Sequence, residues 1–178
     1  MGEQIVAEWG NYVGWNVTAI VLVLVAAKWP KLARGLFSVL FLGAGAWNLF
    51  ASLTMPAFYV ATYGPVATPP YAAFIRGPFA ANPALFVVPI ATGQLAIGIL
   101  AAGTGARVRL AMVGSMAFLL AIAPMGVGSA FPFSVFGILA AYLLYRTPFD
   151  TSLFEDVGAT AAATTRTFQP RGRALPHR

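Results

Sequence analysis

The residue types that usually catalyse reactions or bind metal ions are nearly absent from the apolar part of this chain. There is no cysteine among its 178 residues, and the one histidine, His177, is the penultimate residue. Thiolate catalysis, cysteine-ligated zinc, iron–sulfur clusters and a histidine-built metal or haem site within a bilayer are therefore excluded. No charged residue lies in the interior of a predicted helix, although proton paths and ion sites in membranes require such residues. We expect no catalytic residue, no metal site and no cofactor, apart from the quinone considered below.

The candidate binding residues are weakly polar and fall at two depths, counted inward from the predicted outer helix ends at ~1.5 Å per residue. The deeper pair, Gln94 and Ser115, is interpreted as structural, with Gln94 hydrogen-bonded to a neighbouring helix. The shallower group lies within roughly 10 Å of the outer boundary and predicts an outward-facing ligand pocket with Arg76 at its mouth. The alternative, that these residues make only helix–helix hydrogen bonds, stays open. The predicted pocket residues are Trp47, Asn48, Ser52, Arg76 and Ser134.

The elements that must position these residues are membrane helices. Hydrophobic residues make up 59% of the chain and charged residues 9%, whereas a soluble globular chain carries roughly 25% charged residues. The apolar runs predict an all-α membrane protein with five transmembrane helices, at about 12–27, 33–55, 83–102, 107–123 and 130–145. These form a single transmembrane domain over residues 1–146. Residues 147–178, rich in Ala, Thr and Arg, predict a disordered basic cytoplasmic tail.

One long connection, residues 55–83, separates the second and third predicted helices. Within it, Thr68 and Pro69 are typical of a helix start, as N-cap and first helical residue, and Gly77 is a stop signal. We expect this short helix to lie on the outer membrane surface or to cap the bundle, with the pocket beneath it. Its apolar face, at i, i+3 and i+4 spacing, consists of Tyr71, Phe74 and Ile75.

The distribution of basic residues predicts an orientation. Five helices place three basic clusters on one side of the membrane and leave only Arg76 on the other. By the positive-inside rule, the N-terminus lies outside and the C-terminus in the cytoplasm. We expect a multi-pass protein of the inner (plasma) membrane, and the composition, rich in Ala, Gly, Pro and Arg, is typical of a bacterium with a GC-rich genome. The net charge of +6 does not indicate nucleic-acid binding, because it is spread over short loops and a tail.

Glycine residues recur inside the predicted helices. Gly43 and Gly45 follow the Ala33-Arg34-Gly35 start of the second helix, and we interpret both as positions of close helix packing. Glycine, proline and polar residues also interrupt the apolar sequence in and after the third helix. They are Pro89, Gly93, Gln94, Gly98 and the Gly105-Ala106-Arg107 turn.

This pattern, from Ala33 to Arg146, resembles the DoxX-like family of small integral membrane proteins. A final helix pair joined by a short Pro/Gly turn is part of the resemblance. The resemblance implies a four-helix bundle, to which the first helix here adds an N-terminal helix. It also implies a membrane subunit, in some members a subunit of thiosulfate:quinone oxidoreductase or of redox-stress complexes.

Three functions are left open by the sequence. The first is a non-catalytic subunit or scaffold of a membrane complex, which binds a partner protein or a lipophilic molecule from the outer side. The second is a quinone-binding subunit of a membrane redox complex, with Trp47, Asn48 and Arg76 near the quinone head group. The third is a small-molecule transporter. The chain supplies no redox group, so the second function requires a partner or a bound quinone.

Overall fold

The structure, a computed structural model, describes residues 2–126 and 130–159, with side chains described from residue 12 onward. Within these ranges the chain is helical and contains no β-strand. The prediction of an all-α protein is therefore confirmed for the part of the chain that the structure describes. In chain order, the helices are α1 (Gly2–Lys28), α2 (Pro30–Thr54), α3 (Ala57–Tyr63), α4 (Pro69–Phe74), α5 (Pro83–Ala101), α6 (Gly105–Ile122), α7 (Phe133–Arg146) and α8 (153–159).

Three helical segments are long and apolar enough to cross a membrane, namely α2, α5 and the segment Gly105–Met125 that begins with α6. Two shorter apolar helices accompany them, Tyr12–Lys28 within α1 and all of α7. With 14 residues, α7 rises about 21 Å, less than the ~30 Å hydrocarbon core. The first and last predicted helices therefore exist as helices, while their crossing of a membrane stays a prediction.

Five of the helices close into a ring. Each packs against the next in the order α1, α2, α5, α6 and α7, and α7 packs back against α1. The most extensive contact is between α2 and α5. In contrast, α2 and α7 hardly touch each other, and α1 contacts both. Because it closes this ring, α1 is an integral wall of the bundle and not an appendage to the other four helices.

The buried apolar residues form two clusters. The larger joins α1, α2, α5, α6 and α7 and includes Phe37, Met112 and Leu144. The smaller centres on Tyr59 and Phe79, where α3 and the turn after α4 meet α2 and α5. Helices that are apolar on all sides are typical of a bilayer, which surrounds the bundle with hydrocarbon. The outward-facing side chains are indeed largely apolar as well, among them Val39, Leu53, Ile99 and Leu120.

The α2–α5 contact is close because glycine occupies two positions in it. A Cβ atom at Gly45 would lie 2.8 Å from Leu95 Cγ, and one at Gly98 would lie 2.6 Å from Leu42 Cγ. The Ser38 hydroxyl donates across the same contact to the carbonyl oxygen of Gly98, at 2.7 Å. Small residues and cross-helix hydrogen bonds are what membrane helices use to associate.

Gly43 takes no part in this contact. A Cβ atom there would meet nothing within 4 Å in the described structure. The prediction of close packing is therefore confirmed for Gly45 and wrong for Gly43. The reason is geometric, because two residues along an α-helix turn about 200° around its axis and bring Gly43 nearly to the opposite side.

Arg34, near the start of α2, is fully buried, with 0% of its surface exposed. Its guanidinium donates to the carbonyl oxygens of Gly103 (3.1 Å) and Thr151 (2.8 Å) and to the Asp156 carboxylate (2.8 Å). It also lies over the ring of Phe149, 4.5 Å from the ring centroid. A buried charge needs such partners, and through them Arg34 ties α2, the α5–α6 turn and the segment after α7 into one unit.

A capping box starts α8. The backbone N–H and the hydroxyl of Ser152 donate to the Glu155 carboxylate, at 2.7 and 2.8 Å, and the Glu155 N–H donates back to Ser152 Oγ at 3.3 Å. The next N–H, that of Leu153, donates to the carbonyl oxygen of Ala102 at 3.0 Å. A serine followed three residues later by a glutamate is a helix-start signal in sequence, so this helix start has a local signal although disorder is predicted here.

The segment after α7 thus differs from its prediction. Disorder is predicted over 147–178, yet residues 147–159 fold against the bundle, and 153–159 are helical. The physical reason is that the buried guanidinium of Arg34 donates hydrogen bonds to two groups of this segment, the carbonyl oxygen of Thr151 and the carboxylate of Asp156. The rest of the predicted tail, residues 160–178, lies outside the described residues.

Candidate functional site

A cavity of about 350 Å³ lies beneath α4, between that short helix and the ends of the bundle helices. The apolar face predicted for the loop helix lines it with all three of its residues, Tyr71, Phe74 and Ile75. The other walls come from α2, α3, α5 and α6 and from the turns after α4 and α6. Among their lining residues are Asn48, Tyr59, Tyr63, Phe79, Val87, Ile90, Phe118 and Ile122.

Hydrogen bonds hold α4 over the cavity. The N–H and the hydroxyl of Thr68 both donate to the carbonyl oxygen of Pro124, each at 3.0 Å. The Tyr71 hydroxyl donates to the carbonyl oxygen of Ala121 at 2.9 Å. Thr68 and Pro69 do occupy the predicted N-cap and first helical positions, but the Thr68 side chain makes no bond to its own helix. These contacts attach α4 to the end of α6.

The far end of the loop also follows its sequence signals. A π-helical turn, Ile75–Phe79, continues from α4, and the backbone leaves helical geometry inside it at Gly77, as the predicted stop requires. Asn82 then caps α5 by accepting a hydrogen bond from the Leu85 N–H at 3.2 Å. Pro83 is the first residue of α5. The loop is therefore fixed at both of its helix boundaries.

Aromatic rings form one continuous wall beside the cavity. The ring of Phe79 lies 6.1 Å from that of Tyr59 and 5.7 Å from that of Phe86. Phe74 meets Phe86 edge-to-face at 5.2 Å. Each such pair contributes roughly 0.5–1.5 kcal/mol beyond its buried area. The wall joins α3, the end of α4 and the start of α5, and so gives the cavity a defined shape.

A line of polar groups runs from the cavity into the α2–α5 contact. The Tyr59 hydroxyl lies 3.1 Å from both the carbonyl oxygen and Oδ1 of Asn48. Asn48 Nδ2 in turn donates to Gln94 Oε1 at 2.8 Å. Gln94 does bond to a neighbouring helix, and its partner belongs to the shallower predicted group. The structure therefore connects one residue of the shallower predicted group, Asn48, with one of the deeper pair, Gln94. The two side chains can meet because α2 and α5 pack closely at their glycines.

Tyr63 offers the cavity a hydroxyl that donates to no described residue. Its ring lies 6.3 Å from that of Tyr59, one helical turn away on α3. Burial raises the pKa of Tyr63, and burial together with the neighbouring Tyr63 raises the pKa of Tyr59 to about 12. Both phenols are therefore neutral at ordinary pH, and Tyr63 is a hydrogen-bond donor at the cavity wall.

Of the five predicted pocket residues, Asn48 alone is among the described residues that line the cavity. Trp47, its neighbour in sequence, is 50% exposed and packs edge-to-face on Phe58, with ring centroids 6.3 Å apart. Arg76 donates to the carbonyl oxygen of Gly64 at 2.9 Å, where it closes the end of α3. Neither side chain points its polar group into the cavity.

The predicted serines are also outside the cavity lining. Ser52 is buried and donates to the carbonyl oxygen of Leu49 at 2.9 Å. Ser134 is buried and donates to that of Ala130 at 2.6 Å. The structural serine, Ser115, likewise bonds within α6, to the carbonyl oxygen of Ala111 at 2.8 Å. On apolar helices, such local bonds satisfy a hydroxyl without a partner helix or a ligand.

Two cavity residues, Tyr59 and Tyr63, are not among the predicted site residues. Their i, i+4 spacing places both on one face of a short helix, in the loop where the pocket is predicted. This signal could have found them, because two phenols on one face supply both ring surface and hydroxyl donors. Phe79 and Val87, which pack in the same cluster as Tyr59, gave no comparable signal in the sequence.

Comparisons with known proteins find no family model, no curated protein and no solved structure that matches the chain. The DoxX-like resemblance therefore stays a prediction from the residue pattern. The class that fold and site define is an all-helical protein with apolar helices long enough for a membrane and a largely apolar cavity at one end.

Proposed function

We propose that this chain is an integral membrane protein of the DoxX-like kind, with five membrane-spanning helices, that binds a neutral lipophilic molecule in the cavity beneath α4. Its N-terminus lies outside and its C-terminus in the cytoplasm, in the inner membrane of a bacterium. In this role it is a non-catalytic subunit, and a partner in the same membrane delivers or uses the bound molecule.

The observation that carries this proposal is the cavity itself. A volume of about 350 Å³ falls at the lower end of the ~300–1,000 Å³ typical of small-molecule sites. The described lining residues are aromatic or aliphatic apart from the amide of Asn48 and the tyrosine hydroxyls, and none is charged. Such a wall favours an uncharged, largely apolar ligand, because a buried charge without a partner is strongly unfavourable.

The hydroxyl of Tyr63 narrows the chemistry of the ligand. It is a donor without an acceptor among the described residues, so a ligand with a carbonyl or ether oxygen gains a hydrogen bond there. A quinone has a flat apolar ring and two carbonyl acceptors, and Asn48 lies in the same wall. This supports the quinone-binding subunit as the more specific form of the proposal, with the redox partner on another chain.

A binding measurement with two matched probes tests the proposal. The full chain in lipid nanodiscs is titrated with 2-methyl-1,4-naphthoquinone and with 2-methylnaphthalene, which has the same ring system without carbonyls. We expect saturable binding of both, with the quinone tighter. Tyr63→Phe removes only the hydroxyl and should weaken quinone binding about fivefold, the effect of one hydrogen bond of roughly 1 kcal/mol, and leave naphthalene binding unchanged.

The control is Tyr145→Phe, which removes a hydroxyl near the end of α7, from a residue that is not among the described lining residues. It should leave the affinity for both probes unchanged. Binding of neither probe would contradict a lipophile site in this cavity. An equal loss of affinity for both probes in Tyr63→Phe would contradict the hydrogen bond to the quinone and would mean that the Tyr63 side chain contributes only packing.

A further inference from the structure

A second cavity, of about 450 Å³, lies near the other end of α2, where α8 packs over the α2–α5 contact. The only hydroxyl among its described lining residues, that of Ser38, already donates to the carbonyl oxygen of Gly98. The wall therefore offers hydrocarbon surface with no side-chain donor left over. We call this cavity the groove. Its lining residues include Ser38 and Leu42 of α2, Ile99 of α5, Ala102 directly after α5, and two apolar residues of α8, Phe154 and Val157.

The exposed surface of α8 is apolar on the same side. Phe154 is 82% exposed and Val157 68% exposed, and both share the face that lines the groove. Glu155 lies on the opposite face. A short amphipathic helix with an exposed aromatic ring, next to charged groups, is typical of the boundary between lipid head groups and acyl chains.

A straight stripe on α2 leads from this groove to a positive charge. Lys31, Gly35, Ser38 and Leu42 follow i, i+4, i+7 and i+11 spacing and therefore lie on one face of the helix. A Cβ atom at Gly35 would lie 3.8 Å from a methyl group of Leu153, so α8 sits beside this stripe. From Lys31 to Leu42 the rise is about 16 Å, close to half of a ~30 Å hydrocarbon core.

Lys31, Arg34 and Asp156, at the charged end of the stripe, together carry one net positive charge. The Lys31 ammonium lies 2.6 Å from Asp156 Oδ1, and its side chain remains 66% exposed. Asp156 also pairs with the buried Arg34, so two cations share one carboxylate. An ammonium has three donors, which leaves Lys31 free to bind a phosphate oxygen from the solvent side.

We propose that this groove binds one anionic phospholipid of the adjacent leaflet. One acyl chain lies along Ser38, Leu42 and Ile99 beneath α8, and the phosphate contacts Lys31. The proposal rests on the membrane location proposed above and is independent of the ligand in the cavity under α4. The phospholipid covers the exposed ring of Phe154 and fixes α8 against the bundle.

Photocrosslinking with lipids tests this site. The full chain is reconstituted into phosphatidylcholine vesicles that contain a trace of phosphatidylglycerol with a diazirine in one acyl chain, and labelled peptides are found by mass spectrometry after illumination. We expect the label to concentrate on the peptides that contain Ile99 and Phe154. Ala102→Leu, which adds bulk to the groove wall, should lower this labelling about tenfold. Ala96→Leu, at an exposed position of α5, should not.

The phosphate contact is tested by a ratio within one protein. Labelling by the phosphatidylglycerol probe is divided by labelling with a matched phosphatidylcholine probe, which cancels any change in groove shape. Lys31→Gln should bring this ratio about fivefold toward unity, whereas Lys28→Gln, at an exposed position of α1, should leave it unchanged. An unchanged ratio in Lys31→Gln would overturn the phosphate contact and with it the proposal.

The wild-type labelling pattern separates this proposal from the broader one. Label spread evenly over the outward faces of α2 and α5, without an excess at α8, would overturn the groove site and leave the membrane location standing. Absence of label from α2, α5 and α6 would contradict the membrane location itself. Because this pattern is read on the unmodified chain, it does not depend on the folding of any variant.

Discussion

In the folded chain, the guanidinium of Arg34 is out of water. It donates hydrogen bonds to two carbonyl oxygens and one carboxylate and lies over one aromatic ring. Hydrogen bonds to a charged group contribute roughly 1.5–3 kcal/mol each, and a buried partner left without them is destabilised. We therefore expect Arg34→Met to lower the stability of the folded chain by on the order of 3 kcal/mol. The measurement is the midpoint of thermal unfolding in detergent, followed by tryptophan fluorescence.

The matched control is Arg109→Met, which removes an exposed arginine from the start of α6. Its effect should stay within about 0.5 kcal/mol, as for most surface substitutions. Arg34→Lys keeps the charge and loses the planar fork that reaches several acceptors at once, so its midpoint should fall between those of the wild type and Arg34→Met. Equal midpoints for Arg34→Met and Arg109→Met would contradict the structural role of Arg34.

The contact between Arg34 and Asp156 depends on pH, because it requires the ionised carboxylate of Asp156. The hydrogen bond from Lys31, followed by that from Thr151 and the charges of Lys31 and Arg34, holds the pKa of Asp156 below its ordinary value. A folded-state pKa below the unfolded one stabilises the fold above the unfolded pKa, about 4, and this contribution is lost as the pH falls through the folded pKa. We expect the amide protection of residues 153–159 to fall in that acid range.

Hydrogen exchange, with rates divided by the intrinsic rate at each pH, measures this protection. Asp156→Asn should show reduced protection of 153–159 already at neutral pH and little further loss on acidification. Protection that falls with pH to the same extent in Asp156→Asn would assign the acid effect to another group. The amides of α5, which lie in the bundle, serve as the internal reference.

At the scale of elements, the glycines of α2 and α5 give two matched pairs of substitutions. Alanine at Gly45 or Gly98 would place a Cβ atom within 3.0 Å of the partner helix, close to backbone atoms as well as side chains. Overpacking of this kind costs about 1–3 kcal/mol. Alanine at Gly43 or Gly93 would meet nothing within 4 Å in the described structure and should be neutral or stabilising by up to ~1 kcal/mol.

Thermal unfolding of the four alanine variants, measured side by side, checks this prediction. The first pair should unfold at lower temperature than the wild type and the second pair should not. A lowered midpoint for Gly43→Ala or Gly93→Ala would show that these glycines face a neighbour, such as a second copy of the chain. An unchanged midpoint for Gly98→Ala would mean that α2 and α5 separate without loss of stability.

The elements could be predicted where one local signal decides them. Thr68 and Pro69 start α4, Gly77 ends its helical geometry, and Asn82 caps α5, all as the residue types require. The side chains that enter the cavity could not be predicted in the same way, because rotation of each helix decides them. Trp47 is therefore half exposed, while the next residue, Asn48, about 100° further around α2, lines the cavity.

The fold of the segment after α7 could not be predicted from its composition either, but for a different physical reason. Residues 147–178 are rich in Ala, Thr and Arg and have no long apolar period, which favours disorder. The order of residues 147–159 depends on partners that are distant in sequence. The guanidinium of Arg34 lies more than a hundred residues earlier in the chain, and it bonds to Thr151 and Asp156. Only the Ser152-x-x-Glu155 capping box is a local signal for this segment.

At the scale of the whole molecule, the closed ring of five helices separates two ends with different chemistry. One end holds the cavity beneath α4 with its tyrosine hydroxyls. The other holds α8 and the ion pairs of Lys31 and Arg34 with Asp156. The tight α2–α5 contact runs between them and carries the Asn48–Gln94 hydrogen bond. Which of these two ends faces the cytoplasm stays a prediction from the basic clusters.

Single cysteines test that orientation directly, since the chain has no cysteine of its own and therefore no background labelling. Ala81→Cys precedes α5 and Ala106→Cys follows it, and both positions are exposed. In intact cells, a membrane-impermeant maleimide should label Ala81→Cys, and Ala106→Cys should react only after permeabilisation. Gly158→Cys, two helices further along in α8, should behave as Ala106→Cys does.

Labelling of all three from outside would show that α5 does not cross the membrane, and the reverse pattern would invert the orientation. A difference between Ala106→Cys and Gly158→Cys would mean that only one of α6 and α7 crosses, and it would make the short α7 the helix that stays on one side.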